Sequence, residues 1–466
     1  MSYKKVTKAD YEMIKFIIKD NERVLYGHSI SSDYGHDELN TVQSMPELVV
    51  KVKNTMEVSK VMTFAYRNKI PVTPRGAGTG LVGGAVPVYG GIVIDLSLMN
   101  RFLELDEENL TLTVEPGVLL KDIYSYVEKR DLFYPPDPGE KTATIGGNIS
   151  TNAGGMRAVK YGVTRDYVRG LEVVTPTGDI INVGGKVVKN SSGYSLGNLI
   201  IGSEGTLGII TKVILRLLPL PKEVISMMVP FDSLDDAISA VPKIIKSKIV
   251  PTAMEFVESE ILNDSAEYLG SRIPVQDAGA YLILKVDGNL KEVIEKEYRE
   301  IAEACLKAGA KNLYIADTEE RQEQLWKARG SFLKAIQSST TEMDEVDVVV
   351  PRNKIADFVK YTKIVQEEVK IRIKSFGHAG DGNLHIYILR DQLDCDQWKE
   401  KLNRAMELMY KKANEFNGKV SGEHAIGFAK KQYLQDSNDF INLSVMKNIK
   451  KGIDVKNILN PGKIIV

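Results

Sequence analysis

Histidine is scarce in this chain, with five in 466 residues, and three of them lie in two short polar motifs. FGHAGDGNLHIYI holds His378 and His385 on either side of a Gly-Asp-Gly-Asn turn, and SGEHAIG adds Glu423 and His424. A single histidine is most often structural, whereas two neutral imidazoles and a carboxylate together form a facial ligand set for a divalent metal. We therefore expect a metal site with positions open to a substrate, and its donors suit Fe, Zn or Mn alike.

A second chemical motif is the glycine loop PRGAGTGLVGG, residues 74–84. It contains G-x-G-x-x-G, which binds a nicotinamide dinucleotide when a strand precedes it and a helix follows. Pro87, Gly90 and Gly91 break any such helix within two turns. Five glycines still allow successive N–H groups to converge on an anion. We expect a phosphate-binding loop without a helix, the alternative being a flexible surface turn.

The elements that must position these motifs change character near residue 220. The first 222 residues alternate short strands, amphipathic helices and long Gly/Pro/Asn/Thr-rich segments, and they are expected to form one domain. Residues 223–415 show two β-α-β patterns, which indicate a second domain built on a mixed or antiparallel sheet. Residues 416–466 are too few for a third domain and are expected to pack back onto the first and complete the active site.

Composition limits the classes of function. The formal charge of −1 gives no field that attracts nucleic acid or anionic lipid, and 43% apolar residues suffice for full cores. The N-terminus lacks the features of a signal peptide, and glycines and charges interrupt the most apolar stretch, so a cytoplasmic protein without a transmembrane segment is expected. Two distant cysteines, Cys305 and Cys395, indicate neither a disulfide framework nor an iron–sulfur cluster.

Six segments in fixed order resemble the PCMH-type (vanillyl-alcohol oxidase type) FAD-binding flavoproteins, within them the D-lactate dehydrogenase, glycolate oxidase and D-2-hydroxyglutarate dehydrogenase group. These segments are TPRGAGTGLVGGAVP, PPDPG (135–139), ATIGGNISTNAGG (143–155), KYG (160–162), KNSSGYSLGNLIIGSEGTLGIIT (189–211) and NPGKI (460–464). The resemblance covers nearly the whole chain. It implies an α+β fold: a two-subdomain FAD-binding domain plus an α/β cap domain with a mainly antiparallel sheet.

The resemblance also implies that the glycine loop binds FAD. The residues it assigns to the cofactor are Pro74, Arg75, Gly76, Ala77, Gly78, Thr79, Gly80, Leu81, Asp137, Pro138, Thr144, Gly147, Asn148, Ser150, Thr151, Gly154, Tyr161, Gly162, Glu204, Gly205, Ile210 and Asn460. Members with covalent flavin carry a histidine inside the loop, and this chain has Ala77, Gly78 and Thr79 there. FAD is therefore expected to be bound non-covalently.

The same group pairs H-x-G-D-G-N-x-H with G-E-H, which implies roles for the histidine motifs. His378, His385 and Glu423 resemble the metal ligands, and His424 resembles the general base. Arg329, in LWKARGSFLKAI, resembles the residue that holds the substrate carboxylate, the alternative being a solvated helix residue. Asn383 is a further substrate-side candidate.

The activity implied is FAD-dependent oxidation of a D-2-hydroxy acid with hydride transfer to the flavin. The apolar Leu333, one turn after Arg329, favours D-lactate over a dicarboxylate. The expected electron acceptor is a two-subunit electron-transfer flavoprotein, as in similar proteins of anaerobic bacteria. The alternatives are a glycolate or D-2-hydroxyglutarate dehydrogenase or oxidase using quinone or O2, a non-catalytic flavin relay subunit, and a metallohydrolase.

Overall fold

The computed structural model describes residues 2–39, 41–270, 277–437 and 440–465. The chain packs as two compact units. Unit 1 comprises Met1–Ala153, Val163–Leu220 and His424–Val466, and unit 2 comprises Gly154–Gly162 and Pro221–Glu423. The three domains 1–222, 223–415 and 416–466 remain a prediction.

The strands are numbered in chain order. They are β1 (Val24–Tyr26), β2 (Leu48–Lys51), β3 (Val72–Arg75), β4 (Ile92–Asp95), β5 (Phe102–Asp106), β6 (Thr111–Val114), β7 (Leu132–Phe133), β8 (Val168–Val174), β9 (Ile180–Gly184), β10 (Ile209–Arg216), β11 (Leu218–Pro219), β12 (Glu223–Phe231), β13 (Ala253–Glu258), β14 (Ala280–Gly288), β15 (Tyr314–Ala316), β16 (Met343–Val349), β17 (Arg372–His378) and β18 (Asn383–Leu389).

The α-helices are α1 (Lys8–Ile18), α2 (Thr55–Asn68), α3 (Leu120–Glu128), α4 (Ile145–Thr151), α5 (Ala158–Tyr161), α6 (Leu196–Ile200), α7 (Leu234–Lys246), α8 (Ser259–Leu269), α9 (Lys291–Leu306), α10 (Glu319–Gly330), α11 (Phe332–Ser338), α12 (Ile355–Val369), α13 (Cys395–Glu415), α14 (Lys431–Asp436) and α15 (Phe440–Ile453). Short 3-10 helices span Asn21–Arg23, Gly27–Ser29, Ser32–Gly35, Thr164–Tyr167 and Arg352–Lys354.

Unit 1 contains two main sheets. The first has the order β1-β2-β4-β3, in which β4 pairs in parallel with both β2 and β3. The second is antiparallel with the order β5-β6-β10-β8-β9, and β7 pairs separately with β11. A core of fully buried aliphatic residues, including Leu48, Val72 and Ile92, packs the first sheet against α1 and α2. The amphipathic α2 is capped by Asn54, whose side chain accepts a hydrogen bond from the Glu57 amide.

Unit 2 is built on one seven-stranded sheet with the order β15-β12-β14-β13-β17-β18-β16. Every neighbouring pair in it is antiparallel. The central strands are almost entirely buried, as expected for a sheet whose two faces are covered. The expected α+β fold with a mainly antiparallel sheet after residue 223 is thus confirmed.

Within the described ranges, no helix combines the length and the apolar character that crossing a bilayer requires.

Candidate active site

The histidine cluster of unit 2 arises from a β-hairpin. His378 is the last residue of β17, Asn383 is the first of β18, and the two are register partners across the turn. Phe376 lies opposite His385 in the same ladder. Because side chains alternate between the faces of a sheet, this register places both imidazoles on one face.

Three potential ligand atoms converge there. His378 Nε2 lies 3.3 Å from His385 Nε2 and 3.4 Å from Glu423 Oε1, and His385 Nε2 lies 3.3 Å from that same oxygen. A tetrahedral ion with bonds of about 2.1 Å separates its ligands by about 3.4 Å. The donor types and their spacing therefore fit a divalent metal, as the sequence predicted for these three residues; the metal itself stays a prediction.

A buried acid lies behind the first histidine. Glu255 on β13 is fully buried, is the register partner of His378, and contacts its Nδ1 at 2.7 Å through Oε1 and 2.9 Å through Oε2. Burial lowers the pKa of His378, but Glu255 and Glu423 outweigh burial and hold it well above its ordinary value. With Nδ1 directed at a carboxylate, Nε2 is the nitrogen turned toward the cluster.

Arg329 on α10 contacts the same acid. Its Nε and Nη2 lie 2.7 and 2.5 Å from Glu255 Oε2, and its guanidinium lies over the ring of Phe376 at 4.7 Å. Only 8% of Arg329 is exposed, so it is not a solvated surface residue. Its role in holding a substrate carboxylate stays a prediction.

Two more buried acids come from β16, where Asp347 lies opposite His385 and Glu345 lies opposite Tyr387. Asp347 accepts hydrogen bonds from the Ser421 hydroxyl at 2.7 Å and from the Gly422 and Glu423 amides at 3.0 and 3.1 Å. Glu345 Oε1 lies 3.7 Å from His385 Nδ1. Asp347 thus holds the backbone that carries Glu423, and both acids add negative charge around the cluster, which favours a cation.

Asn383, the other substrate-side candidate, also contacts Asp347. Its Nδ2 donates to Asp347 Oδ1 at 2.6 Å and to the Val348 carbonyl at 3.0 Å. Gly422 packs so closely on this amide that an added Cβ would lie 2.3 Å from Nδ2. Asn383 therefore fastens the hairpin to the segment before Glu423, and its contact with substrate stays a prediction.

His424, the predicted base, is the residue after Glu423 and the first of the last segment of unit 1. It is half-buried. Its catalytic role stays a prediction.

The glycine loop of unit 1 joins β3 to β4. Residues 76–91 are all described and none of them is helical, which confirms the expectation that this is not a strand–loop–helix dinucleotide motif. Gly78 and Gly83 adopt positive φ values of 78° and 71°, a conformation that glycine adopts without strain. The loop thus has the backbone freedom that an anion-binding turn requires.

Polar contacts with residues 33–37, elsewhere in unit 1, hold this loop. Arg75 is buried and donates to the carbonyls of His36 at 3.0 Å and Asp33 at 2.7 Å. Asp37 accepts a hydrogen bond from the Gly83 amide at 2.5 Å. Polar contacts with a neighbouring segment therefore fix the loop.

The C-terminal segment completes the support of the loop. Asn460 donates to the carbonyls of Gly84 at 2.9 Å and Glu204 at 2.8 Å. The Glu204 carboxylate accepts from the Ile426 and Gly427 amides at 2.9 and 2.7 Å, and burial raises its pKa to about 7. Glu204 and Asn460 thus bind the C-terminal segment to the loop; their predicted contacts with FAD stay predictions.

The other predicted cofactor residues of unit 1 lie on several elements. Pro74 lies in β3 beside Gly205, and Ala77, Thr79, Gly80 and Leu81 lie in the loop. Thr144 caps α4, which carries Gly147, Asn148, Ser150 and Thr151. Asp137, which Lys141 contacts, and Pro138 precede α4, and Ile210 lies on β10. Gly76 packs directly against Thr144, because an added Cβ there would lie 2.1 Å from Thr144 Oγ1. The glycine loop and α4 are therefore neighbours within unit 1.

Three predicted cofactor residues, Gly154, Tyr161 and Gly162, belong to unit 2. An added Cβ at Gly154 would lie 2.6 Å from Glu423 Oε2, so this glycine borders the metal-type cluster. The Tyr161 hydroxyl donates to Asp287 at 2.9 Å, and Gly162 ends α5 with a positive φ of 83°. Within unit 2, segment 154–162 therefore carries three of the predicted cofactor residues, and Gly154 among them lies against Glu423.

Comparisons with known proteins agree with this organisation. Residues 46–184 match the family model described as FAD binding domain, and residues 220–464 match that described as FAD linked oxidases, C-terminal domain. The chain belongs to the FAD-linked oxidase family, in which an FAD-binding domain precedes this C-terminal domain, and it is an oxidoreductase. The resemblance to PCMH-type flavoproteins is confirmed.

Individual proteins with similar sequences or folds add detail to the family assignment. The chain is 47% identical to a D-lactate dehydrogenase of Anaerostipes hadrus, over 99% of this chain and 98% of that protein. It is 42% identical to glycolate oxidase subunit GlcD of Bacillus subtilis, over 92% and 91% of the two chains. Solved p-cresol methylhydroxylase has the same fold, with a TM-score of 0.79 at 18% identity, over 98% of this chain and 97% of that one.

Sequence reasoning missed the buried acids Glu255, Glu345 and Asp347, and it missed Asp37 beside the loop. A signal for the first three was present. Glu255 lies between apolar residues in AMEFV, and Glu345 and Asp347 alternate with valines in EVDV; at such strand positions an unpaired charge would be costly and a partner is therefore expected.

Proposed function

We propose that this chain is an FAD-dependent D-2-hydroxy-acid dehydrogenase that oxidises D-lactate to pyruvate. The observation that carries the proposal is the convergence of His378 Nε2, His385 Nε2 and Glu423 Oε1 within 3.3–3.4 Å in a chain that carries an FAD-binding domain. The name of the relative at 47% identity supports D-lactate as the substrate.

The cofactors divide between two sets of residues. His378, His385 and Glu423 hold one divalent metal ion (Fe, Zn or Mn), and the glycine loop and α4 hold FAD through backbone amides and hydroxyl groups. With Ala77, Gly78 and Thr79 in the loop, no histidine is available there for a covalent flavin link. When bound, the metal lowers the pKa of the substrate hydroxyl and FAD accepts the hydride.

The remaining roles belong to side chains that act on the substrate. The imidazole of His424 accepts the proton of the substrate hydroxyl. Arg329 holds the substrate carboxylate, because a guanidinium matches a carboxylate in geometry and charge. Asn383 orients the substrate beside it.

Small substrates are favoured by the charges around the cluster. Glu255, Glu345 and Asp347 are fully buried on β13 and β16, the strands that pair with the histidine strands β17 and β18. Bringing a second carboxylate near these acids costs more than bringing a methyl group. We therefore expect D-lactate or glycolate to be oxidised better than D-2-hydroxyglutarate, and the name of the Bacillus subtilis relative makes glycolate the second candidate.

The proposed electron acceptor is a two-subunit electron-transfer flavoprotein. The chain has two cysteines, Cys305 buried and Cys395 exposed, whereas an iron–sulfur cluster is commonly held by four thiolates. Electrons must therefore leave the flavin for an external partner. If the flavin reduced by D-lactate is reoxidised by quinone or O2 and not by an electron-transfer flavoprotein, quinone or O2 would replace the proposed acceptor.

The experiment is an anaerobic titration of FAD-loaded, metal-loaded protein, followed at the flavin band near 450 nm. We expect D-lactate to bleach the band, glycolate to bleach it more slowly, and L-lactate and D-2-hydroxyglutarate to be poor reductants. Yellow protein that no 2-hydroxy acid bleaches would reject the dehydrogenase in favour of an electron-relay subunit.

A further inference from the structure

We propose that Glu255 is a positioning residue that sets the metal ligand His378 and the arginine Arg329 at the same time. The inference rests on the proposed function, since it concerns how the metal and the substrate carboxylate are held. Glu255 is not among the residues predicted from the sequence, and it is the only acid in the described residues for which contacts to both His378 and Arg329 are seen.

The two carboxylate oxygens of Glu255 divide between two partners. Oε1 lies 2.7 Å from His378 Nδ1, and Oε2 receives Arg329 Nε at 2.7 Å and Nη2 at 2.5 Å. An imidazole whose Nδ1–H donates to a carboxylate has its tautomer fixed, so that Nε2 carries the lone pair that binds a metal. Glu255 therefore selects the ligand atom of His378.

Glu255 also fixes the position of Arg329. The guanidinium lies between Glu255 and the rings of Phe376 and Phe332, at 4.7 and 5.4 Å, with little exposure to solvent. Three donors on one carboxylate, all deeply buried, leave Arg329 little rotational freedom. The position of Arg329 and the orientation of His378 thus depend on one side chain.

Geometry of the strands makes the arrangement rigid. Glu255 lies in the middle of the sheet on β13 and is paired directly with His378 on β17. Its side chain is fully buried, so water does not replace a lost contact. A shortened or neutral residue at this position must change the cluster itself.

The test measures metal affinity without substrate, by competition of Zn2+ alone with a chelator, in FAD-loaded protein. Glu255→Gln keeps the shape of the side chain and removes its charge, and we expect Zn2+ affinity to fall by about 10- to 100-fold while the flavin spectrum is retained. Glu258→Gln is the matched control, because Glu258 ends the same strand and pairs with Lys363 at 3.1 Å outside the cluster. It should bind Zn2+ like the wild type.

A second variant separates positioning from folding. Glu255→Gln leaves the buried Arg329 charge without its acid, which could destabilise the protein, whereas the double variant Glu255→Gln/Arg329→Met removes both charges. We expect the double variant to recover thermal stability but to keep the weak Zn2+ binding. Recovery of Zn2+ binding along with stability would show that Glu255 acts only as a structural ion-pair partner and would overturn the proposal.

The remaining outcomes distinguish this inference from the proposed function. Wild-type Zn2+ affinity in Glu255→Gln would reject the inference and leave the dehydrogenase intact. Weak Zn2+ binding in Glu255→Gln, together with wild-type protein that no 2-hydroxy acid reduces, would support the inference and reject the dehydrogenase. Wild-type protein that binds no Zn2+ would overturn the inference, and the reduction of its flavin by D-lactate would then decide the dehydrogenase separately.

Discussion

The glycine loop of unit 1 and the histidine cluster of unit 2 are built in opposite ways. The loop offers backbone: its glycines take conformations that other residues avoid, and hydrogen bonds made by Arg75 and Asp37 join it to residues 33–37. The cluster offers side chains: the buried Glu255 orients His378, and the buried Asp347 holds the backbone of Glu423. Backbone sites depend on the absence of a Cβ, whereas side-chain sites depend on charge behind the ligands.

This difference predicts that the two regions fail separately. Changes in the cluster should abolish metal binding and leave the flavin, and changes at the loop should weaken FAD and leave the metal. Variants that remove both ligands together would contradict the comparison.

The largest effect is expected from His378→Ala. The substitution removes one of three ligand atoms, so we expect the metal content to drop. The rate of flavin reduction by D-lactate should fall by at least about 100-fold, because losing a ligand costs more than losing a residue that only supports a ligand. Metal analysis and stopped-flow absorbance, with the 450 nm band confirming bound FAD, check this. Unchanged metal content and rate would show that the ligand assignment is wrong.

Next in size is Asp347→Asn. Asp347 accepts hydrogen bonds from Asn383, from the Ser421 hydroxyl and from the Gly422 and Glu423 amides, and an amide nitrogen in its place would face donors. We expect a loss of about 3 kcal/mol of stability and a weaker metal site. The measurements are thermal unfolding and Zn2+ competition.

The control for Asp347→Asn is Asp357→Asn, at an exposed acid that pairs with Lys354 on the surface. Equal losses in both variants would mean that Asp347 does not support the cluster.

At the loop, a pair of glycines sharpens the comparison. Gly76→Ala places a Cβ 2.1 Å from Thr144 Oγ1 and should cost FAD-free protein about 1–3 kcal/mol, because Thr144 must give up its position as the cap of α4. Gly80→Ala meets nothing within 4 Å and should leave FAD-free protein unchanged while lowering FAD affinity. Thermal unfolding and FAD titration measure the two effects; unaltered FAD binding by Gly80→Ala would place the cofactor elsewhere.

The smallest effect concerns pH. Burial raises the pKa of Glu204 from 4.5 to about 7, so folded protein binds a proton that unfolded protein releases, and this contribution to stability falls as pH rises from about 4.5 to about 7. Burial lowers the pKa of Lys463 to about 7, and its contribution instead rises with pH above 7. Glu204→Gln should therefore flatten the decline between pH 5 and 7 in urea unfolding of FAD-free protein, and an unchanged slope would assign it to other groups.

The sequence predicted what depends on residue type. Glycines followed by Pro87 predict a loop without a helix, and the residue types of His378, His385 and Glu423 predict a set of metal ligands. Glu255 and Asp347 could not be predicted as site residues, because their contacts depend on strand register, which pairs β13 with β17 and β16 with β18 across long stretches of chain. Long-range pairing is not encoded in local spacing. The same limit applies to Asp37, whose contact with Gly83 joins distant segments.

The central claim is that hydroxy-acid oxidation requires both the FAD domain and the metal-type cluster. The most direct measurement is the anaerobic rate of flavin bleaching by D-lactate in one preparation that is assayed as loaded, after chelation, and after readdition of the metal. We predict fast bleaching, then loss of bleaching with the flavin still bound, then recovery. Equal rates before and after complete metal removal would contradict the account.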